Sequence, residues 1–126
     1  GLFIGAIYAR SQAIENYHYR SALLAATGKM ELIKYYNMGS NQQVQILNIP
    51  GLLDDVVLDE INNIQIKARV LRPYPTCTTQ SDIQVAPYVV YDKVTLRMTW
   101  DEPTNFFKPK TRKYITLRED YYRRVQ

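Results

Sequence analysis

The chain has 126 residues, 46% of them apolar, a length that fits one domain around one modest core. Its formal charge of +4 sits at one end: residues 107–126 hold seven Lys and Arg against two acids, while the first 106 hold nine against ten. The single cysteine, Cys77, excludes an intramolecular disulfide, and no run of about 20 apolar residues is present to cross a bilayer.

From Ile4 to about Asn37 the pattern is helical. At 100° per residue Ile7, Ile14, Ala22, Ala25 and Leu32 fall on one broad apolar arc. Tyr17, Leu24 and Tyr35 widen it on one side, and Ala26 and Ile33 on the other. Arg20, Thr27, Glu31 and Lys34 share a polar stripe opposite, with Glu31 and Lys34 placed as a favourable i,i+3 pair. An arc this wide predicts a helix packed on two sides, on its own sheet and on a neighbour. Gly28 is expected to be tolerated or to kink the helix, because KMELIKYY resumes with good helix formers.

After the turn-rich NMGSN (37–41) the chain reads as β. Residues 43–49 (QVQILNI) predict a short strand closed by Pro50-Gly51, and the acidic stretch 52–63 predicts a loop with one helical turn. In 64–73 Ile64, Ile66, Ala68 and Val70 alternate with Gln65, Lys67 and Arg69, a half-buried strand. YPTCTTQSD (74–82) has the composition of a loop. Residues 88–100 are the clearest strand: Val94, Leu96, Met98 and Trp100 face one way, Thr95, Arg97 and Thr99 the other. Residues 101–111 read as a hairpin connection and 112–119 as the last strand, with Tyr114, Thr116 and Arg118 opposite Ile115 and Leu117. The predicted fold is therefore α+β: one helix (1–37) across a three- to four-stranded antiparallel meander (38–126), in a single domain.

Motifs for chemistry are sparse. One histidine and one cysteine form no zinc-spaced cluster, and the run Asp54, Asp55, Asp59, Glu60 lacks the spacing of a calcium loop. His18 has no sequence-evident nucleophile or carboxylate set and reads as a surface or packing residue of the helix. Paired carboxylates at 54/55, 59/60 and 101/102 are neighbours in sequence, which does not oppose them across a cleft. No phosphate-cradling glycine motif occurs, so neither an enzyme nor a resident cofactor is expected. The C-terminal segment interleaves Lys and Arg with Tyr, a pattern suited to phosphate contact with base stacking. Arg112, Lys113 and Arg118 read equally well as the wet face of an edge strand. Arg123 and Arg124, placed beyond that strand, are candidate contacts for an anion or a partner. A glycine at position 1 invites myristoylation, although Gly5 stands where Ser or Thr is usual.

Taken together, YARSQAIENYHYRSALLAATGKMELIKY and YDKVTLRMTWDEP…TRKYITLRED resemble two parts of the type IV pilin-like proteins. The first is similar to the post-membrane half of their N-terminal helix, with small residues Ala9, Ala13, Ala22, Ala25 and Ala26 before Met30-Glu31-Leu32. The second is similar to their penultimate strand, hairpin and last strand. The match covers about the first 36 residues and residues 88–119. The cleaved leader, the hydrophobic half-helix and the glutamate near the processed N-terminus of that family are not in this sequence, and Cys77 departs from the disulfide-closed loop of many major pilins. The resemblance implies a minor pilin or a type II secretion pseudopilin: a non-catalytic filament subunit, its N-terminus methylated and anchored in the inner membrane by a segment preceding Gly1. Its partners would be other pilin or pseudopilin subunits, in the periplasm or in a cell-surface filament. It further implies that Ile14, Ala22, Ala25 and Leu32 pack on a core of Leu96, Met98, Trp100 and Ile115, while Ile7, Arg20 and Glu31 serve subunit contacts. The alternatives are a small basic nucleic-acid-binding module, as DNA uptake would use, and a lipid-anchored structural protein.

Overall fold

A computed structural model describes residues 2–37, 43–82, 89–103 and 110–124. Helix α1 runs unbroken over Leu2–Asn37, about 54 Å at 1.5 Å per residue. It passes straight through Gly28, where an added Cβ would meet nothing within 4 Å. The five strands are β1 (Val56–Ile61), β2 (Ile64–Val70), β3 (Thr76–Asp82), β4 (Val89–Glu102) and β5 (Thr111–Arg124). All pair antiparallel, so the architecture is α+β: one long helix packed against a five-stranded antiparallel sheet.

β4 is the centre of the sheet. Along one edge it pairs over its whole length with β5, from Val89↔Arg124 to Glu102↔Thr111. Its other edge is shared: β3 takes Val89–Thr95 and β2 takes only Met98 and Thr99. The sheet is thus forked, whereas the sequence predicts a plain meander of three or four strands. β1 and β2 form a hairpin closed by Asn62 and Asn63, both with positive φ (52° and 64°). That is the geometry of the two-residue turn which matches strand twist, and asparagine adopts it at low cost.

Three predicted segments come out differently. Residues 43–49 are not a strand: Gln43–Asn48 is a 3₁₀ helix, and Ile46, Ile49 and Leu52 are all buried. Ile49 and Leu52 follow the helix in turns closed by Ile49 N–H to Ile46 O (3.3 Å) and Leu52 N–H to Ile49 O (3.2 Å), so the 3₁₀ spacing of three continues beyond it. The acidic stretch 52–63 contains β1, whose alternation is broken by a register shift between Val57 and Asp59, hiding the strand signal. Residues 76–82, loop-like by composition, form β3, where Thr76, Thr78 and Thr79 are β-branched and suit a pleated edge. The last strand extends to Arg124, so Arg123 and Arg124 pair with Val90 and Val89 and do not lie beyond it. Residues 38–42, at the predicted turn, and 104–109, at the predicted hairpin connection, lie outside the described residues.

The core lies between α1 and one face of the sheet. Ala22, Ala26, Met30 and Ile33 from the helix meet Val94, Leu96, Met98 and Trp100 from β4, with Ile66 and Ala68 of β2 and Ile46, Ile49 and Leu52 closing one end. Ile115 and Leu117 of β5 are partly buried against it.

Candidate functional site

The helix presents a different face to the sheet from the predicted one. The buried side chains are Glu15, His18, Ala22, Ala26, Lys29, Met30 and Ile33, an axis turned by roughly 70° from the predicted arc at 100° per residue. Ile14, Ala25 and Leu32, expected at its centre, are only half-buried at its margin. The cause is polar: three ionisable residues sit on the buried face because the fold supplies each with partners.

His18 is fully buried and spans three elements. Its Nδ1 lies 2.8 and 2.9 Å from the two carboxylate oxygens of Glu102, at the end of β4, and its Nε2 lies 2.8 Å from Asp59 Oδ2 on β1. Each ring nitrogen thus faces a carboxyl group, and the ring bridges Glu102 and Asp59. Glu102 is itself buried and also accepts the indole N–H of Trp100 at 2.9 Å. The imidazole hydrogen bond holds the Asp59 carboxyl below its ordinary range. With both nitrogens committed and no solvent-facing edge, His18 clamps the helix to the sheet and has no free atom for acid–base work.

Lys29 makes a second tie. It is buried, and its Nζ donates to the carbonyl oxygens of Gly51 (3.3 Å), Leu52 and Asp54 (2.9 Å). Burial pulls the ammonium below its ordinary pKa, while Asp54 and Asp55 oppose that shift. A third tie runs from the Tyr121 hydroxyl on β5 to the Met30 carbonyl at 3.0 Å, and burial beside Glu119 and Glu31 pushes that hydroxyl well up. None of these contacts is local: Asp59 and Glu102 lie 41 and 84 residues from His18. The one sequence signal was positional, since His18, Lys29 and Ala22 share a helix face at i, i+4 and i+11 spacing.

The sequence-predicted site residues are dispersed. Leu96, Met98 and Trp100 are buried side by side, and Ile115 borders them. Arg20 and Glu31 are exposed on the helix. Ile7 belongs to α1, but its side chain, like those of Arg123 and Arg124, lies outside the described residues. Among the described residues no group of three or more His, Cys, Asp and Glu side chains is arranged to hold a metal ion, and no helix is long and apolar enough to cross a membrane.

Part of what the helix leaves uncovered is apolar. Tyr17, Leu24 and Tyr35 are 49%, 74% and 73% exposed. They fall within about 20° of one another and about 200° from the buried axis. Ala13 and Gly28 lie along the same face, which also carries Arg10 and Glu31 at its two sides, with Arg20 beyond Glu31. No family model, curated protein or solved structure matches this chain.

Proposed function

We propose that the chain is a structural subunit of a type IV pilus-like or type II secretion filament, a minor pilin or pseudopilin that works through packing against other subunits and the inner membrane. The observation that carries this reading is the second apolar stripe on α1. A helix serving only its own sheet needs one apolar face, and the opposite face is ordinarily polar. Here large apolar side chains stand on both, Met30 and Ile33 on the buried face and Tyr17, Leu24 and Tyr35 on the exposed one. Large exposed apolar patches on otherwise polar proteins mark interaction sites. In this reading Tyr17, Leu24 and Tyr35 meet a neighbouring subunit, and the first turns of α1, where Ala9, Arg10 and Ala13 are exposed, run on toward the filament axis. Small residues at Ala13 and Gly28 let another helix approach closely.

The double substitution Leu24→Arg, Tyr35→Arg tests it. Both side chains are mostly exposed, so unfolding free energy should change by no more than about 0.5 kcal/mol per site, while assembly in the source cell is abolished. Retained assembly, or a loss of melting temperature matching the loss of assembly, overturns the reading.

A further inference from the structure

The sheet face away from α1 has a composition that neither the core nor the helix contact explains. On β2, β4 and β5 the side chains of this face alternate with the core residues, and strand register places them together: Tyr91 beside Tyr122, Lys93 beside Asp120, Thr95 beside Arg118, Arg97 beside Thr116, Thr99 beside Tyr114, Asp101 beside Arg112, Arg69 beside Thr99. Among the described side chains of these three strands the face carries six cations, Lys67, Arg69, Lys93, Arg97, Arg112 and Arg118, against Asp101 and Asp120. Asp55 and Glu60 lie at the β1 margin. No described helix or strand covers the face.

Its aromatic residues stand at two ends. Tyr122 is 66% exposed and leans on Tyr91, ring centroids 5.1 Å apart and 35° from parallel. Tyr91 is itself fixed by donating to Gln80 Oε1 at 2.6 Å. At the other end Tyr114 is 48% exposed, and the Arg97 guanidinium lies 6.0 Å from its ring and 5.1 Å from that of Tyr74. Arg97 is held in turn by Nε donating to Thr116 Oγ1 at 2.9 Å. Eight residues of β5 separate Tyr114 from Tyr122, about 27 Å at 3.4 Å per residue. Arg118 and Lys93 lie between them. Beyond Tyr114, where β2 parts from β4, Lys67, Arg69 and Arg112 line a polar cleft of about 170 Å³ together with Asp55 and Asp101, the latter paired with Arg112 at 3.2 Å.

We propose that this face binds single-stranded nucleic acid, which goes beyond the filament role and does not depend on it. Exposed, pre-oriented tyrosine rings offer stacking surfaces for unpaired bases, and the cations between them meet the phosphates of the connecting backbone. A protein partner with acidic side chains would satisfy the cations but would leave flat aromatic faces on a strand that needs none. A duplex presents phosphates without unstacked bases. The pairing of rings and cations on one open sheet therefore favours the single strand.

The test is fluorescence anisotropy with a labelled oligothymidylate of about twelve nucleotides, compared with a duplex of the same length and with polyglutamate. Full-length protein is expected to bind the single strand most tightly, with affinity falling steeply between about 50 and 200 mM salt. Tyr122→Ala and Tyr114→Ala should each weaken it by ~5- to 100-fold without changing far-UV circular dichroism, and Arg118→Gln should reduce the salt slope by about one phosphate contact. Three results overturn the proposal: no binding at low salt by folded protein, binding indifferent to both tyrosine substitutions, or equal affinity for polyglutamate. The last would identify the face as a site for an acidic protein.

Discussion

His18→Ala is expected to destabilise the fold by about 3–5 kcal/mol, more than its side-chain volume alone would account for. Removing the imidazole strands the buried Glu102 carboxyl group without its ring partner and removes the hydrogen bond that lowers Asp59, and a buried polar group left unpaired costs more than the pair gains. Replacing His18, Asp59 and Glu102 together with apolar residues of similar volume should cost less than His18→Ala alone, because no unpaired polar group is then left behind. Urea unfolding of the variants checks both statements. A triple variant as unstable as the single one would show that His18 acts through shape and not polar pairing.

The same clamp sets an acid limb on stability. Asp59 has a lowered pKa in the folded state, so the unfolded chain binds its proton first as pH falls. Its contribution is complete above the unfolded carboxylate's value of about 4, and is lost as pH falls through the lowered folded value. His18→Ala should flatten this limb, which an acid titration of melting temperature reads directly.

Trp100→Ala on its own should cost ~3–5 kcal/mol, the range for deleting a buried aromatic ring and leaving its cavity. Trp100 is 2% exposed and meets the edge of the Tyr19 ring at 5.1 Å. Its indole nitrogen also donates to Glu102 Oε1, the oxygen that His18 shares. The two substitutions touch one network and should not add: a double-mutant cycle is expected to give a coupling of about 0.5–3 kcal/mol. Trp100→Phe, which keeps most of the volume and loses only the donor, should cost markedly less than Trp100→Ala. Equal losses for Phe and Ala would mean that the indole hydrogen bond, and not the packing, holds this corner.

How far the sequence carried depended on where each element's partners lie. β4 and β5 were legible because both alternate cleanly over many residues, and the side chains of Leu96, Met98 and Trp100 point to one face as strand geometry requires. The helix was legible as a helix, but its orientation was not. Apolar periodicity gave an average direction, whereas the true face is fixed by His18, Lys29 and Glu15, polar residues that count against burial until Glu102, Asp59 and the carbonyls of 51–54 are brought to them. The strand expected at 43–49 failed because Ile46, Ile49 and Leu52 repeat at three, not two. β1 was hidden by its irregular register. The outer sheet face was visible only as scattered Tyr and Arg, since cross-strand register is what gathers them.

The central claim is that α1 has two working faces, one for its own sheet and one for a neighbour. It is tested most directly by a photo-crosslinking phenylalanine analogue placed at Leu24, with Thr27 on the polar side as control, in cells that assemble the protein. A crosslink to another filament subunit is expected from position 24 and none from position 27, with the position 24 product lost in Tyr35→Arg. No crosslink from position 24 in assembling cells, or equal crosslinking from both positions, would contradict it.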